Sequence, residues 1–116
     1  MSEGSKDRLL PPRAPRKADS IVGIVDALAY RTEAAGRSMN ARTIYNFRLR
    51  VVDREGTEKE LLGVEIRGLG FKGSLNNGDW VEIERSAQKR PGEAITTHKL
   101  RNLTTGGDVE GRRFRF

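Results

Sequence analysis

The residues of this chain with the clearest chemistry are arginines and lysines on and around two central predicted strands. A guanidinium group is planar, stays charged and pairs bidentately with phosphate, and it also stacks on nucleobases. Eight such residues are predicted to project from a central hairpin or to lie in the two loops beside it: Arg31, Arg37, Arg42, Arg48, Arg50, Arg67, Lys89 and Arg90. These side chains indicate a polyanionic ligand, and single-stranded DNA or RNA is the expected one.

Aromatic side chains that could stack on bases are sparse on the predicted outer surface. Trp80 alternates outward from its strand, and Tyr30 lies at the rim of the first predicted loop. Tyr45 and Phe47 are instead expected in the core, because they alternate with arginines on one strand. Tyr30 and Trp80 therefore complete the predicted binding surface, in which contacts to phosphate dominate.

Residues with enzymatic chemistry are few. His98 is the single histidine and the chain has no cysteine, so neither a Cys/His metal site nor a Cys–His nucleophile is indicated. Carboxylates such as Glu65, Glu82 and Glu84 are spaced in a way that singles out no acid–base pair. Ion pairs between these carboxylates and strand arginines are an alternative interpretation of the basic surface. We expect a protein that is not an enzyme and uses no cofactor or metal.

A glycine motif at residues 68–73 resembles a dinucleotide-binding fingerprint. Gly68-Leu-Gly70-Phe-Lys-Gly73 matches G-x-G-x-x-G, but that motif acts through the N-terminus of a helix that begins there. Only five residues separate Gly73 from Asp79, and the next element has the alternation of a strand. We therefore interpret the motif as a connector between strands.

Composition sets the broad class of the protein. The chain has 116 residues, a net charge of +6 and a sequence pI of about 10.2, which suits one small domain with a polyanion partner. Ordinary solubilising charge is the alternative, since the middle of the chain is only mildly basic. Without cysteine, a secretory signal or an apolar run long enough to span a bilayer, a cytoplasmic location is expected.

The alternation of apolar and polar residues predicts five strands, at 21–31, 43–53, 58–67, 79–85 and 94–103. The first strand is expected to be bulged, because its apolar residues fall on both faces and Gly23 comes early. The second and third strands should form a hairpin. The predicted organisation is a disordered basic arm at 1–19, a barrel at 20–105 and a flexible basic-aromatic tail at 106–116.

Residues 21–105 resemble the oligonucleotide/oligosaccharide-binding (OB) fold. The segments that carry the resemblance are Ile21-Val-Gly23-Ile-Val25, Tyr45-Asn-Phe47-Arg-Leu49-Arg-Val51, Leu75-Asn-Asn-Gly78-Asp79-Trp-Val81-Glu-Ile83 and Leu100-Arg-Asn102-Leu103. The resemblance implies an all-β, five-stranded Greek-key barrel whose ligand lies across the second and third strands. It implies single-stranded nucleic-acid binding, and the alternative is a protein-interaction module of a larger complex that docks through the C-terminal tail.

Overall fold

The computed structural model describes residues 19–34 and 41–112, and within these ranges the protein is all-β, as predicted. Its strands are β1 (Ser20–Ala34), β2 (Ala41–Val52), β3 (Glu58–Gly68), β4 (Phe71–Lys72), β5 (Trp80–Glu84), β6 (Ile95–Thr97), β7 (Lys99–Asn102) and β8 (Gly107–Gly111). One 3₁₀ turn (Arg85–Ala87) follows β5. The predicted basic arm up to residue 18, the loop residue Arg37 and the tail residues 113–116 lie outside the described residues. No helix in these ranges is long and apolar enough to cross a bilayer.

Strands β1, β2 and β3 form a continuous antiparallel ribbon, and the predicted hairpin of the second and third strands is confirmed. Alternation sets its register, because a shift by one residue would bury Arg48 and Arg50 and expose the apolar side chains between them. The hairpin turn is closed by Asp53, whose carboxylate accepts hydrogen bonds from the N–H groups of Glu55 and Thr57 at 3.0 and 2.9 Å. The ribbon carries five of the eight predicted basic residues.

The predicted bulge in β1 is confirmed and lies between Asp26 and Ala29. Ala27 adopts a positive φ of 54°, and the Leu28 N–H leaves the sheet to bond the Asn77 side chain at 2.8 Å. The pairing of β1 with β5 stops at Ile24, before the bulge. Within the described residues, β1 therefore pairs only with β2 beyond this point, and one edge of its second half is open.

The eight strands form one mixed sheet in the order β4-β8-β7-β5-β1-β2-β3-β6, so the hydrogen-bonded sheet is not closed into the predicted barrel. The predicted fifth strand is divided at His98 into β6, which runs parallel to β3, and β7, which is antiparallel to β5. The His98 carbonyl accepts a hydrogen bond from Gly111 of β8 instead of continuing either ladder. This division accounts for one of the three strands beyond the five that alternation predicted, and β4 and β8 are the other two.

Two of the strands were not predicted. The chain beyond 105 was expected to be a flexible tail, which is wrong for β8, because Val109 is buried against the core. A lone valine among glycine, aspartate and glutamate has no periodicity that would reveal a strand. The glycine motif leads into the short strand β4 and not into a helix, in agreement with its interpretation as a connector. Glycine is needed where β3 meets β8, since a Cβ on Gly68 would stand 2.5 Å from the Cα of Gly111.

The core lies on the inner face of the sheet. The two β2 residues predicted there pack in it, Phe47 buried and Tyr45 half-buried, and they are joined by buried Leu49 and half-buried Val51. The rest of the buried cluster comes from β1, β3, β5, β6, β7 and β8 and from the segment between β4 and β5: Ile21, Val25, Leu62, Val64, Ile66, Leu75, Val81, Ile83, Ile95, Leu100 and Val109. Leu62, Val64 and Ile66 of β3 and Val81 and Ile83 of β5 thus face the core, as the alternation along each strand requires.

A buried polar clamp holds the turn before β5. Asn102 is 0% exposed, and its amide donates to the Asp79 carboxylate at 2.8 Å and to the Ser74 carbonyl at 3.1 Å. Its oxygen accepts from the N–H groups of Thr104 and Thr105. Asp79 also accepts the Asn76 N–H at 2.9 Å, a bond within the turn itself. The clamp ties the turn to the β7–β8 hairpin, because the buried side chain of Asn102 bonds groups in both.

Candidate nucleic-acid interface

Five of the predicted arginines share the outer face of the β1–β2–β3 ribbon. Residues opposite each other in neighbouring strands point to the same side of a sheet. Arg31 and Arg67 flank Ile44, and Arg48 lies between Asp26 and Gly63. The arginine face, as we call this surface, carries Arg31, Arg42, Arg48, Arg50 and Arg67.

Glu65 bridges two strands of the arginine face. Its two carboxylate oxygens lie 3.0 Å from Arg31 Nη2 and 3.1 Å from Arg67 Nη2. Partial burial opposes the charged form of Glu65, but the hydrogen bonds from the two guanidinium groups outweigh it and hold its pKa below the ordinary value. Glu65 therefore stays ionised and neutralises part of the charge of Arg31 and Arg67.

Arg50 is engaged in a similar way. Its Nε and Nη2 atoms lie 3.2 and 2.8 Å from one carboxylate oxygen of Glu58, the first residue of β3. The hydrogen bond to Glu58 raises the pKa of Arg50. Ion pairing with carboxylates, the alternative interpretation of the basic strands, thus applies to Arg31, Arg50 and Arg67.

Arg42 and Arg48 are the two members of the arginine face that remain uncommitted. Both are exposed, and neither forms an ion pair with a residue in the described part of the chain. Their register partners on β1 are the acidic residues Glu33 and Asp26. Counting Glu58 and Glu65 as well, five guanidinium groups stand against four carboxylates, so the face has a net charge of +1.

Trp80 lies on the same side of the sheet as the arginines. It is half-buried at the start of β5, opposite Ile24, which is itself opposite Arg50. Its backbone is held at both ends, since its N–H donates to the Thr104 hydroxyl at 2.8 Å and its carbonyl accepts from Leu103 at 2.7 Å. The indole is thus placed two strands away from Arg50.

Tyr30 lies on the opposite face of the ribbon. It faces Tyr45 across β1 and β2, with ring centroids 6.0 Å apart, and Tyr45 in turn meets Phe71 of β4 edge-on at 4.5 Å. The three rings form a row that begins at the core and ends in solvent. Phe71 and Tyr45 were not predicted as site residues, because no local pattern shows that β4 folds back beside β2.

Of the two predicted basic loops, the structure describes the one with Lys89 and Arg90. Lys89 and Arg90 are exposed in the segment after the 3₁₀ turn, near the end of β5, where Glu84 pairs with the first residue of β1. The end of β1 and the start of β2, where Ala34 pairs with Ala41, form the other end of the ribbon, and Arg37 lies outside the described residues. The structure therefore does not bring Lys89 and Arg90 together with Arg37, and the arginine face lies between the two ends of the ribbon.

The described ranges contain no group of three or more His, Cys, Asp or Glu side chains that could hold a metal ion. A groove of about 700 Å³ at the β2–β3 turn end is lined by Arg54, Lys59 and Arg85 together with Asp53 and Glu60. Lys59 and Arg85 are already paired with carboxylates there.

Comparison of the chain with protein-family models, with curated proteins and with solved structures finds no match. What the protein does must therefore be inferred from the geometry of its own residues.

Proposed function

We propose that this protein binds single-stranded nucleic acid, DNA or RNA, without catalysing a reaction, through the arginine face. The observation that carries the proposal is the placement of five arginines on one face of the β1–β2–β3 ribbon. Arg42 and Arg48 have no ion-pair partner among the described residues, and Trp80 lies on the same side. Guanidinium groups bind phosphates, while an aromatic ring supports a base of any sequence.

The strand order supports an OB-like architecture for this binding surface. β1 pairs with both β2 and β5, and β6 runs parallel to β3. A single residue, His98, separates β6 from β7. The stretch predicted as one strand therefore pairs with β3 at one edge of the β5–β1–β2–β3 sheet and with β5 at the other edge. In an OB barrel the ligand lies across the second and third strands, which here carry Arg48, Arg50 and Arg67.

The expected binding is electrostatic and salt-dependent. If about three to five phosphates are neutralised, the slope of log K against log salt should be about −2 to −3.5 for a single strand. Raising the salt from 50 to 200 mM should then weaken binding about 20- to 100-fold. Labelled oligonucleotides titrated by fluorescence anisotropy at several salt concentrations measure this slope. Absent or salt-independent binding would contradict the proposal.

A pair of matched variants separates the arginine face from net charge. Arg48→Ala removes an uncommitted arginine from the face, whereas Arg54→Ala removes an exposed arginine from the β2–β3 turn. We expect Arg48→Ala to weaken binding to all sequences alike and to make the slope shallower by about 0.7, the share of one phosphate. Arg54→Ala should bind nearly as the wild type does, and equal losses in both variants would show that the face has no special role.

A protein-interaction module is the second candidate, and the mixed charge of the arginine face favours it. Three arginines are held by Glu58 and Glu65, and Leu61 is 50% exposed on the same side. Because β8 belongs to the sheet, the test is deletion of residues 113–116 alone. Loss of partner capture with intact oligonucleotide affinity would identify the tail as a docking peptide. Weaker oligonucleotide binding with a shallower salt slope would identify it as an electrostatic clamp.

A further inference from the structure

Tyr30 is a large ring held in solvent by a row of other rings. It is 72% exposed, yet it contacts Tyr45, which packs between it and Phe71 and is anchored to the core cluster. Ring pairs in such tilted and edge-on arrangements are attractive. The position of the exposed ring is therefore supported from beneath, as a stacking platform requires.

The surroundings of Tyr30 are polar. Thr32 and Thr43 face each other across β1 and β2 on the same side as the ring, next to it along the ribbon. Arg31 and Glu33 follow the ring along the strand and point to the arginine face. An extended apolar partner would bury these polar groups without compensation, whereas a planar heterocycle would cover the ring and leave its own polar edge to the threonine hydroxyls.

The edge of β1 beside Tyr30 is open. From Ala29 to the end of the strand, the described residues offer β1 no pairing partner on the side away from β2. A single-stranded nucleic acid that leaves the arginine face at Arg31 can therefore cross this edge without displacing a β-strand of the protein. Since Tyr30 and Arg31 are neighbours that point to opposite faces, the two sites are separated by the thickness of one strand.

We propose that Tyr30 is a base-stacking subsite, onto which a single strand turns after crossing the open edge of β1 from the arginine face. The inference rests on the proposed function and adds to it a path and a ligand group. The phosphates bind the arginines on one side of the ribbon, and one base stacks on the ring on the other. The neighbouring hydroxyls both donate and accept, so any base is accommodated.

The test compares a homopolymer with an abasic strand of the same length. Tyr30→Ala should weaken binding of oligo(dT) about 5- to 150-fold, the range expected for loss of one stacked base, and should leave binding of the abasic strand unchanged. Tyr30→Phe keeps the ring and should bind as the wild type does. Leu69→Ala truncates another exposed apolar side chain and controls for a general surface effect.

The losses of affinity that Tyr30→Ala causes for the two oligonucleotides decide whether the stacking subsite exists. Equal losses on the two strands, or no loss with oligo(dT), would overturn the stacking subsite. In that case weaker binding by Arg48→Ala would leave the proposed function standing, whereas no binding by the wild-type protein would overturn both.

Ultraviolet crosslinking of a halogenated oligonucleotide to the wild-type protein adds a measurement that needs no variant. Mass spectrometry should place the crosslink at Tyr30, and crosslinks found only elsewhere would overturn the subsite.

Discussion

Replacing Glu65 with glutamine should strengthen nucleic-acid binding, although it removes two ion pairs. Glu65 holds Arg31 and Arg67 at 3.0 and 3.1 Å, so its charge competes with any phosphate that approaches either arginine. Glutamine has nearly the same shape and still offers a carbonyl oxygen as a hydrogen-bond acceptor. Glu65→Gln therefore frees the charge of the two arginines with little change in the surface.

The size of the effect follows from the number of arginines released. Each additional phosphate contact makes the salt slope steeper by about 0.7, so two released arginines should add up to about 1.4. If the contribution of a phosphate contact is taken as zero at 1 M salt, a slope of about 0.7 means that one contact raises the binding constant about 8-fold at 50 mM salt and about 3-fold at 200 mM. The lost ion pairs are partly exposed and should lower the free energy of unfolding by about 0–1 kcal/mol, so the fold should survive.

The assay is oligonucleotide anisotropy at several salt concentrations, with Glu55→Gln as the matched control. Glu55 lies exposed in the β2–β3 turn and forms no ion pair with the described residues, so its replacement changes the net charge equally. At 0.1 M salt, charges more than about 10 Å apart are largely screened, and the control should bind nearly as the wild type does. If Glu65→Gln bound no better than Glu55→Gln, Arg31 and Arg67 would not contact phosphate.

Two further predictions concern the fold. Asn102→Ala should lower the free energy of unfolding by about 3–5 kcal/mol, because it strips one hydrogen bond from the Asp79 carboxylate and leaves two turn N–H groups without their acceptor. The control Asn77→Ala removes one exposed hydrogen bond and should lower the free energy of unfolding by only about 1 kcal/mol. Urea unfolding followed by Trp80 fluorescence measures both variants, and a similar loss of stability in the two would contradict the clamp. The pKa of Glu65 is lowered in the folded protein from its ordinary value of 4.5. Its ion pairs should therefore stabilise the fold fully when the pH is above 4.5, and this stabilisation should be lost as the pH falls through the lower pKa of the folded state. Acid unfolding followed by circular dichroism should therefore be less steep below about pH 4.5 in Glu65→Gln than in the wild type, and identical curves would show that the bridge does not stabilise the fold.

The sequence by itself determined which residues of the central ribbon point inward and which point outward. Alternation along β2 and β3 has a period of two, so Phe47 and Leu49 must share one face and Arg48 and Arg50 the other. The bulge of β1, the positive φ of Gly78 and the local bond of Asp79 were also predictable, because each depends on neighbours along the chain. The arginine face is thus largely a property of local pattern.

Only the tertiary structure decided which side chains meet across strands. Glu65 reaches Arg31, Tyr45 meets Phe71, and Asn102 closes on Asp79, over sequence distances that no periodicity covers. The same holds for β8, whose single buried valine becomes a core residue only once β7 lies beside it. A strand pattern records the face of a side chain but not its partner, since the partner is set by sheet order and by where bulges and breaks interrupt the ladder.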